Sequence, residues 1–157
     1  METSQAKRIV REYTQHLQAE PSQVFPLLCP VREYEWIEHW QCKMIYSDSG
    51  VAEENCIFTT NFPDDGSEEV WVVCHYEPNR EIQFVIVNDR KVTCYSITLT
   101  DNGDGTSTAV WKQRITALND LGNQALEHLT EKAYAHQMKT LETMLNHFLT
   151  TGEMLKG

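Results

Sequence analysis

Apolar and polar positions along this chain follow two rhythms, a period of two for most of its length and a period of 3.6 near the end. Residues 8–18 alternate: Ile9, Arg11, Tyr13, Gln15 and Leu17 share one face, and Val10, Glu12, Thr14, His16 and Gln18 share the other. The second face is almost wholly polar and suits solvent, so the first faces inward and carries Arg11, Tyr13 and Gln15 with it. Pro21 then suits a helix start, where its missing N–H costs nothing. Val24, Phe25, Leu27 and Leu28 give one or two helical turns, interrupted by Pro26 and stopped by Pro30. A second short helical piece is expected over Val31–Trp40, carrying Trp36, Ile37 and Trp40.

Six further runs read as strands, at about 41–48, 54–62, 69–77, 81–88, 91–100 and 107–117. The breaks between them hold turn chemistry: Asp48-Ser49-Gly50, Pro63-Asp64-Asp65-Gly66, Glu77-Pro78-Asn79, Asn88-Asp89 and Asp101-Asn102-Gly103-Asp104-Gly105. Short connections imply antiparallel neighbours, because parallel strands need long crossovers. From about Asn119 the period becomes 3.6, and Leu126, Leu129, Ala133, Tyr134, Met138, Leu141, Met144, Leu145 and Phe148 fall within one apolar arc. Thr130 and Gln137 sit inside that arc, where polar groups need partners. Glu127, His128, Glu131, Lys132, Lys139 and Glu142 lie at its edge or opposite. Gly152 suits a left-handed cap. The expectation is one α+β domain spanning 1–157: a curved seven-stranded antiparallel sheet wrapped around a long C-terminal helix, with two short helices after the first strand.

Composition narrows the partners. Asp and Glu outnumber Lys and Arg by 23 to 13, a formal charge of -10. Such a surface repels phosphate backbones and anionic lipid, which bind clustered Lys and Arg, so neither nucleic acid nor membrane is expected as a partner. Met1–Arg11 has no apolar core of signal-peptide length and no run is long enough to cross a bilayer, which makes a cytoplasmic protein the expectation. The five cysteines, Cys29, Cys42, Cys56, Cys74 and Cys94, are odd in number and form no C-x-x-C pair. They read as reduced, mostly buried small hydrophobes. His39-x-x-Cys42 and Cys74-His75 do not match structural zinc spacing, and no metal or cofactor is expected. Asp101 to Gly105 fails the spacing of an EF-hand loop and reads as a hairpin turn.

The order of these features resembles the START-like (SRPBCC) superfamily, whose members share the helix-grip fold and include polyketide cyclases/dehydrases, lipid-transport domains and relatives of the birch pollen allergen. The residues that carry the resemblance are Leu17-Gln18-Ala19-Glu20-Pro21-Ser22-Gln23-Val24-Phe25, Trp36 to Trp40, Gly103-Asp104-Gly105-Thr106 and the helix from Asn119. The resemblance implies a cavity between the concave sheet and the last helix, able to take a small apolar, aromatic or amphipathic molecule. It carries no catalytic signature from one member to another, and fold alone does not decide function.

Three functions stay open on this reading. The first is binding of a small apolar or aromatic molecule in the cavity, by a monomer or homodimer. The second is a polyketide cyclase- or dehydratase-like enzyme in the same cavity, with His39, Tyr13 and Arg11 as candidates. The third is a protein-interaction module of the chaperone-ATPase-activator kind, working through the acidic outer surface. The candidate lining is Tyr13, Gln15, Tyr95, Trp111, Gln113, Thr130, Tyr134 and Gln137, with Arg11 near one end; Trp36 and His39 complete the set. A closed core whose polar groups satisfy one another is the competing reading of the same residues. His39, between Trp36 and Trp40, is the most attractive proton carrier, against the plainer reading of an exposed histidine ending a short helix. His75 sits mid-strand, and its face is ambiguous because that strand is apolar on both sides. No Gly-x-Ser-x-Gly, P-loop or dinucleotide fingerprint is present. Glu53-Glu54 and Glu68-Glu69 lie beside turns and read as solvated pairs.

Overall fold

The computed structural model describes residues 6–157; the first five residues of the expected 1–157 domain lie outside this range. Strand β1 (Arg8–Leu17) is followed by α1 (Pro21–Val24), a 3₁₀ turn (Phe25–Leu28) and α2 (Pro30–Glu33). Then come β2 (Lys43–Tyr46), β3 (Ile57–Thr60), β4 (Glu69–Glu77), β5 (Glu81–Val87), β6 (Lys91–Asp101) and β7 (Ser107–Ala117), and finally α3 (Asp120–His128) and α4 (Glu131–Thr151). The seven strands form one antiparallel sheet in the order β1-β7-β6-β5-β4-β3-β2, an open helix-grip α+β architecture.

Turn chemistry explains the meander. Asn79 takes φ 65 between β4 and β5. The Asn88 side chain accepts from the N–H groups of Arg90 and Lys91 and closes the β5–β6 hairpin. Between β6 and β7, Gly103 (φ 80) and Gly105 (φ 88) take left-handed backbone while Asp101 and Asp104 accept from Gly103 and Thr106 N–H. The Asp101–Gly105 run is thus a turn, as its residue types imply.

Strand alternation decides which residues meet the helix. On β1 the inward residues become steadily more buried toward Leu17, and Gln15 is 0% exposed. Pairing Tyr13 with Trp111, Ile97 with Trp111, Tyr95 with Gln113 and Phe84 with Tyr95 sets a row of large side chains across the concave face. The bulge between Val73 and His75 shifts the register on β4; His75 lies opposite Gln83, 3.6 Å from Glu77 and 3.7 Å from Glu81.

Several expectations change. Asp120–Thr151 forms two helices in place of one, because Leu129 leaves helical backbone (φ -90, ψ 67) and Thr130 caps α4 by accepting from the Ala133 N–H. A threonine at the cap satisfies an otherwise orphaned donor, which favours a restart over an unbroken helix. Thr130 is therefore exposed, outside the apolar arc to which an uninterrupted wheel assigns it. Glu142, placed by that wheel at the edge, is buried: its carboxylate accepts from His16 N–H at 2.7 Å and fastens α4 to β1. The piece expected over Val31–Trp40 is helical only at Pro30–Glu33 and continues as turns, with His39 at φ 67. Cys29 and Cys56 are buried, but Cys74 and Cys94 are exposed on the outer face of the sheet. Among the described residues no helix is long and apolar enough to cross a membrane.

Candidate functional site

Two chambers lie on the concave side of the sheet. The inner one, about 220 Å³, is walled by Trp71 of β4, Phe84 of β5, Tyr95 and Ile97 of β6, and Trp111 and Gln113 of β7. Met138 and Leu141 of α4 close it from above, and Leu28, Glu33, Ile37 and Trp40 from the short-helix region close its side. Trp71 and Phe84 pack edge to face, 5.3 Å apart at 85°, and Tyr95 sits tilted at 6.0 Å from both Phe84 and Trp111. The outer chamber, about 560 Å³, is more polar and includes Asp65, Glu69, Arg90, Lys91, His128 and Gln137. Trp71 and Gln113 belong to both, so the two chambers adjoin across these side chains.

Polar groups in the inner chamber are unevenly satisfied. Three tryptophan N–H groups are spoken for: Trp36 donates to the Leu27 carbonyl at 2.7 Å, Trp40 to the Pro30 carbonyl at 2.9 Å and Trp71 to the Thr60 hydroxyl at 2.9 Å. The buried Nε1 of Trp111 has no hydrogen-bond partner among the described residues. Glu33, the last residue of α2, is half-buried in the chamber wall, and burial pushes its carboxyl up to about 8 from an ordinary 4.5. Tyr95 is pushed well above its ordinary value by burial first, then by the nearby Tyr134 and Glu33. In the outer chamber, burial raises Glu69 to about 7, the neighbouring Asp65 adds to this and Lys91 opposes it.

The sequence candidates divide between these places. Tyr95, Trp111 and Gln113 meet in the inner chamber, and Gln137 reaches the outer one. Tyr134 is buried beside them, its hydroxyl donating to the Trp111 carbonyl at 3.2 Å. Gln15 donates to the Met138 carbonyl at 2.9 Å, and the Tyr13 hydroxyl lies 3.4 Å from Glu142. Arg11 donates to the Leu129 carbonyl at 2.9 Å. Trp36 is fully buried in the core rather than in either chamber wall. The His39 side chain is 88% exposed, 3.6 Å from Glu38, and lines neither chamber. Glu33 is the residue that sequence reasoning passes over. Its helix has four residues, too few to show a periodicity that would mark it as inward.

No protein-family model matches the sequence, and no curated protein does either. Solved structures do resemble it. An uncharacterized protein from Rhizobium leguminosarum is similar with a TM-score of 0.66 at 13% identity, over 93% of this chain and 97% of that one. A protein from Rhodobacter sphaeroides is similar at 0.62 and 18% identity, over 93% of each. DynU16, from the dynemicin biosynthetic locus, is similar at 0.63 and 17% identity, over 92% of this chain and 48% of its own. At these identities the likeness is one of architecture, and it agrees with a helix-grip α+β fold.

Proposed function

We propose that the protein binds a small apolar or aromatic molecule between the sheet and α4. The observation that supports this most strongly is the inner chamber, whose rings surround about 220 Å³. Cores pack with few voids larger than a water molecule. The chamber is half-open to solvent, so a ring that enters it exchanges contact with water for contact with its apolar walls. A chain that keeps such a space gains most when something fills it. The volume exceeds the roughly 150 Å³ that accepts benzene in an engineered cavity, so one or two fused rings fit.

Native mass spectrometry of gently purified protein, with extraction of whatever travels with it, tests the proposal. A ring-bearing passenger or a titratable ring probe supports it. A protein that arrives empty and takes no ring probe overturns it and favours an interaction module working through the acidic surface.

Catalysis of the cyclase or dehydratase kind is the second reading, and Glu33 favours it: a carboxyl held among rings is suited to proton transfer near neutral pH. Of the residues singled out for that role from the sequence, His39 faces solvent, while Tyr13 and Arg11 are engaged with α4 and the segment before it.

A further inference from the structure

We infer that the inner chamber is a cage for a substituted ammonium group, held among aromatic rings and paired with the Glu33 carboxylate. This rests on the binding reading above and names the ligand class.

Five residues of the wall are aromatic: Trp71, Phe84, Tyr95 and Trp111 on the sheet, and Trp40 from the short-helix region. Neighbouring centroids on the sheet lie 5.3 to 6.0 Å apart. Trp40 is held in place by its N–H bond to the Pro30 carbonyl and by Phe62, 5.7 Å away. Such rings attract cations through their π-systems, tryptophan most strongly. Among the described residues, the wall carries one carboxyl, Glu33, and no Lys, Arg or His. Arg90, Lys91 and His128 line the outer chamber and not this one.

Glu33 is half-buried as a residue, but its charged end is the deep part, since loss of hydration pushes its carboxyl up. The Tyr95 phenol on the sheet feels its charge, which sets the carboxyl on the ring side. Among the described residues that carboxyl has no hydrogen-bond partner, and neither oxygen is sealed away from open space. Arg32, the cation next to it in sequence, is paired with Glu35 instead.

The kind of cation follows from the scarcity of acceptors. A hard metal ion needs a shell of oxygens, and a primary ammonium brings several donors. Besides Glu33, the wall offers only the Tyr95 hydroxyl and the Gln113 amide. A nitrogen that carries alkyl groups in place of hydrogens needs one opposite charge and apolar contact, which Glu33, the rings, Met138 and Leu141 supply. The formal charge of -10 favours the approach of a cation. An anion meets no positive group in this wall, and a hydrocarbon leaves the carboxyl unpaired.

Benzyltrimethylammonium and neopentylbenzene share one shape and differ by a nitrogen in place of a carbon; benzylsulfonate supplies the opposite charge. Their binding to the intact chain is followed by tryptophan fluorescence at pH 6 and pH 8. The ammonium probe competes with the proton for Glu33, so its affinity should rise by about tenfold or more between these values. Neopentylbenzene should change by less than about twofold. The other groups around Glu33 do not titrate in this range: burial pushes the Tyr95 phenol and the Cys42 thiol up, and Met138 and Leu141 of α4 carry no charge. Glu69 of the outer chamber, at about 7, does titrate there, and Glu33→Gln separates the two. That variant should bind neopentylbenzene as the wild type does, bind the ammonium probe about tenfold more weakly at pH 8, and show no pH dependence. Ammonium binding that is equal at the two pH values, or whose pH dependence survives in Glu33→Gln, overturns the inference. Binding of neopentylbenzene alone, or tightest binding of the sulfonate, also overturns it and leaves the container reading standing. If none of the three binds, the container reading itself fails, and this inference with it.

Discussion

The Gln15 side chain donates a 2.9 Å hydrogen bond to the backbone carbonyl of Met138, joining the middle of β1 to the middle of α4 inside the core. The helix carbonyl keeps a lone pair for this bond beyond the one used along its own axis. The other amide atom, Oε1, has no partner among the described residues. Gln15 is thus half satisfied, and the two halves predict different substitutions. Gln15→Met loses one hydrogen bond and removes one unpaired oxygen, a change of under about 1 kcal/mol. Gln15→Glu sets a carboxylate against the Met138 carbonyl and should lose about 3 kcal/mol at pH 7. Urea midpoints of the two variants decide it, and similar losses from both would contradict the assignment.

Glu142 holds the same interface from the helix side. It accepts from His16 N–H, lies 3.4 Å from the Tyr13 hydroxyl, and has Lys139 at 3.3 Å. Glu142→Leu leaves the strand donors without their acceptor and should cost about 2 kcal/mol. Glu142→Gln, which keeps an acceptor oxygen, should cost about half as much. Hydrogen exchange at His16 offers a local reading: protection should fall in the Leu variant and persist in the Gln variant.

The raised pKa of Glu33 makes stability depend on pH in a defined direction. Between 4.5 and about 8 the folded protein retains a proton that the unfolded chain releases, so this residue's contribution falls as pH rises through that window. Glu33→Gln removes that dependence. The variant should match the wild type at pH 5 and exceed it by about 2–4 kcal/mol at pH 8. An offset between the two proteins that stays constant from pH 5 to pH 8 counts against a protonated carboxyl in the chamber.

Gly122 on α3 marks a close approach of backbones. A Cβ built there would lie 2.0 Å from the Arg90 carbonyl oxygen, on the hairpin that borders the outer chamber. Backbone cannot rotate away as a side chain can, so Gly122→Ala must push α3 off the β5–β6 turn. A loss of about 2 kcal/mol is expected. Faster hydrogen exchange across Asp120–His128, with α4 unchanged, would confirm that the damage stays local.

The fold was legible where pattern and turn chemistry agree. The β1 alternation correctly sends Gln15 inward, and each hairpin turn falls at a cluster of Asn, Asp, Gly or Pro. The helix break was hidden because Leu129 and Thr130 fit a continuous wheel as well as a broken one; only the Thr130 hydroxyl bonded to Ala133 N–H decides between them. Strand positions identified Tyr95, Trp111 and Gln113, since period two fixes their face. Glu33 could not be identified that way. Its burial depends on strands β4 to β7 closing over it from far along the chain, and four helical residues carry no record of that.

The pairing of the first strand with the last also sets the order in which the molecule can be made. Arg11 meets Leu129, 118 positions away, so β1 leaves the ribosome long before any of its partners. The hairpins β4 to β7 join neighbours in sequence and can assemble early; β1 and α4 can only close afterwards. α4 supplies part of the cover over Trp71, Phe84, Tyr95 and Trp111, so a chain whose last helix has not yet docked leaves this aromatic face open on that side, the kind of apolar surface on which chaperones act.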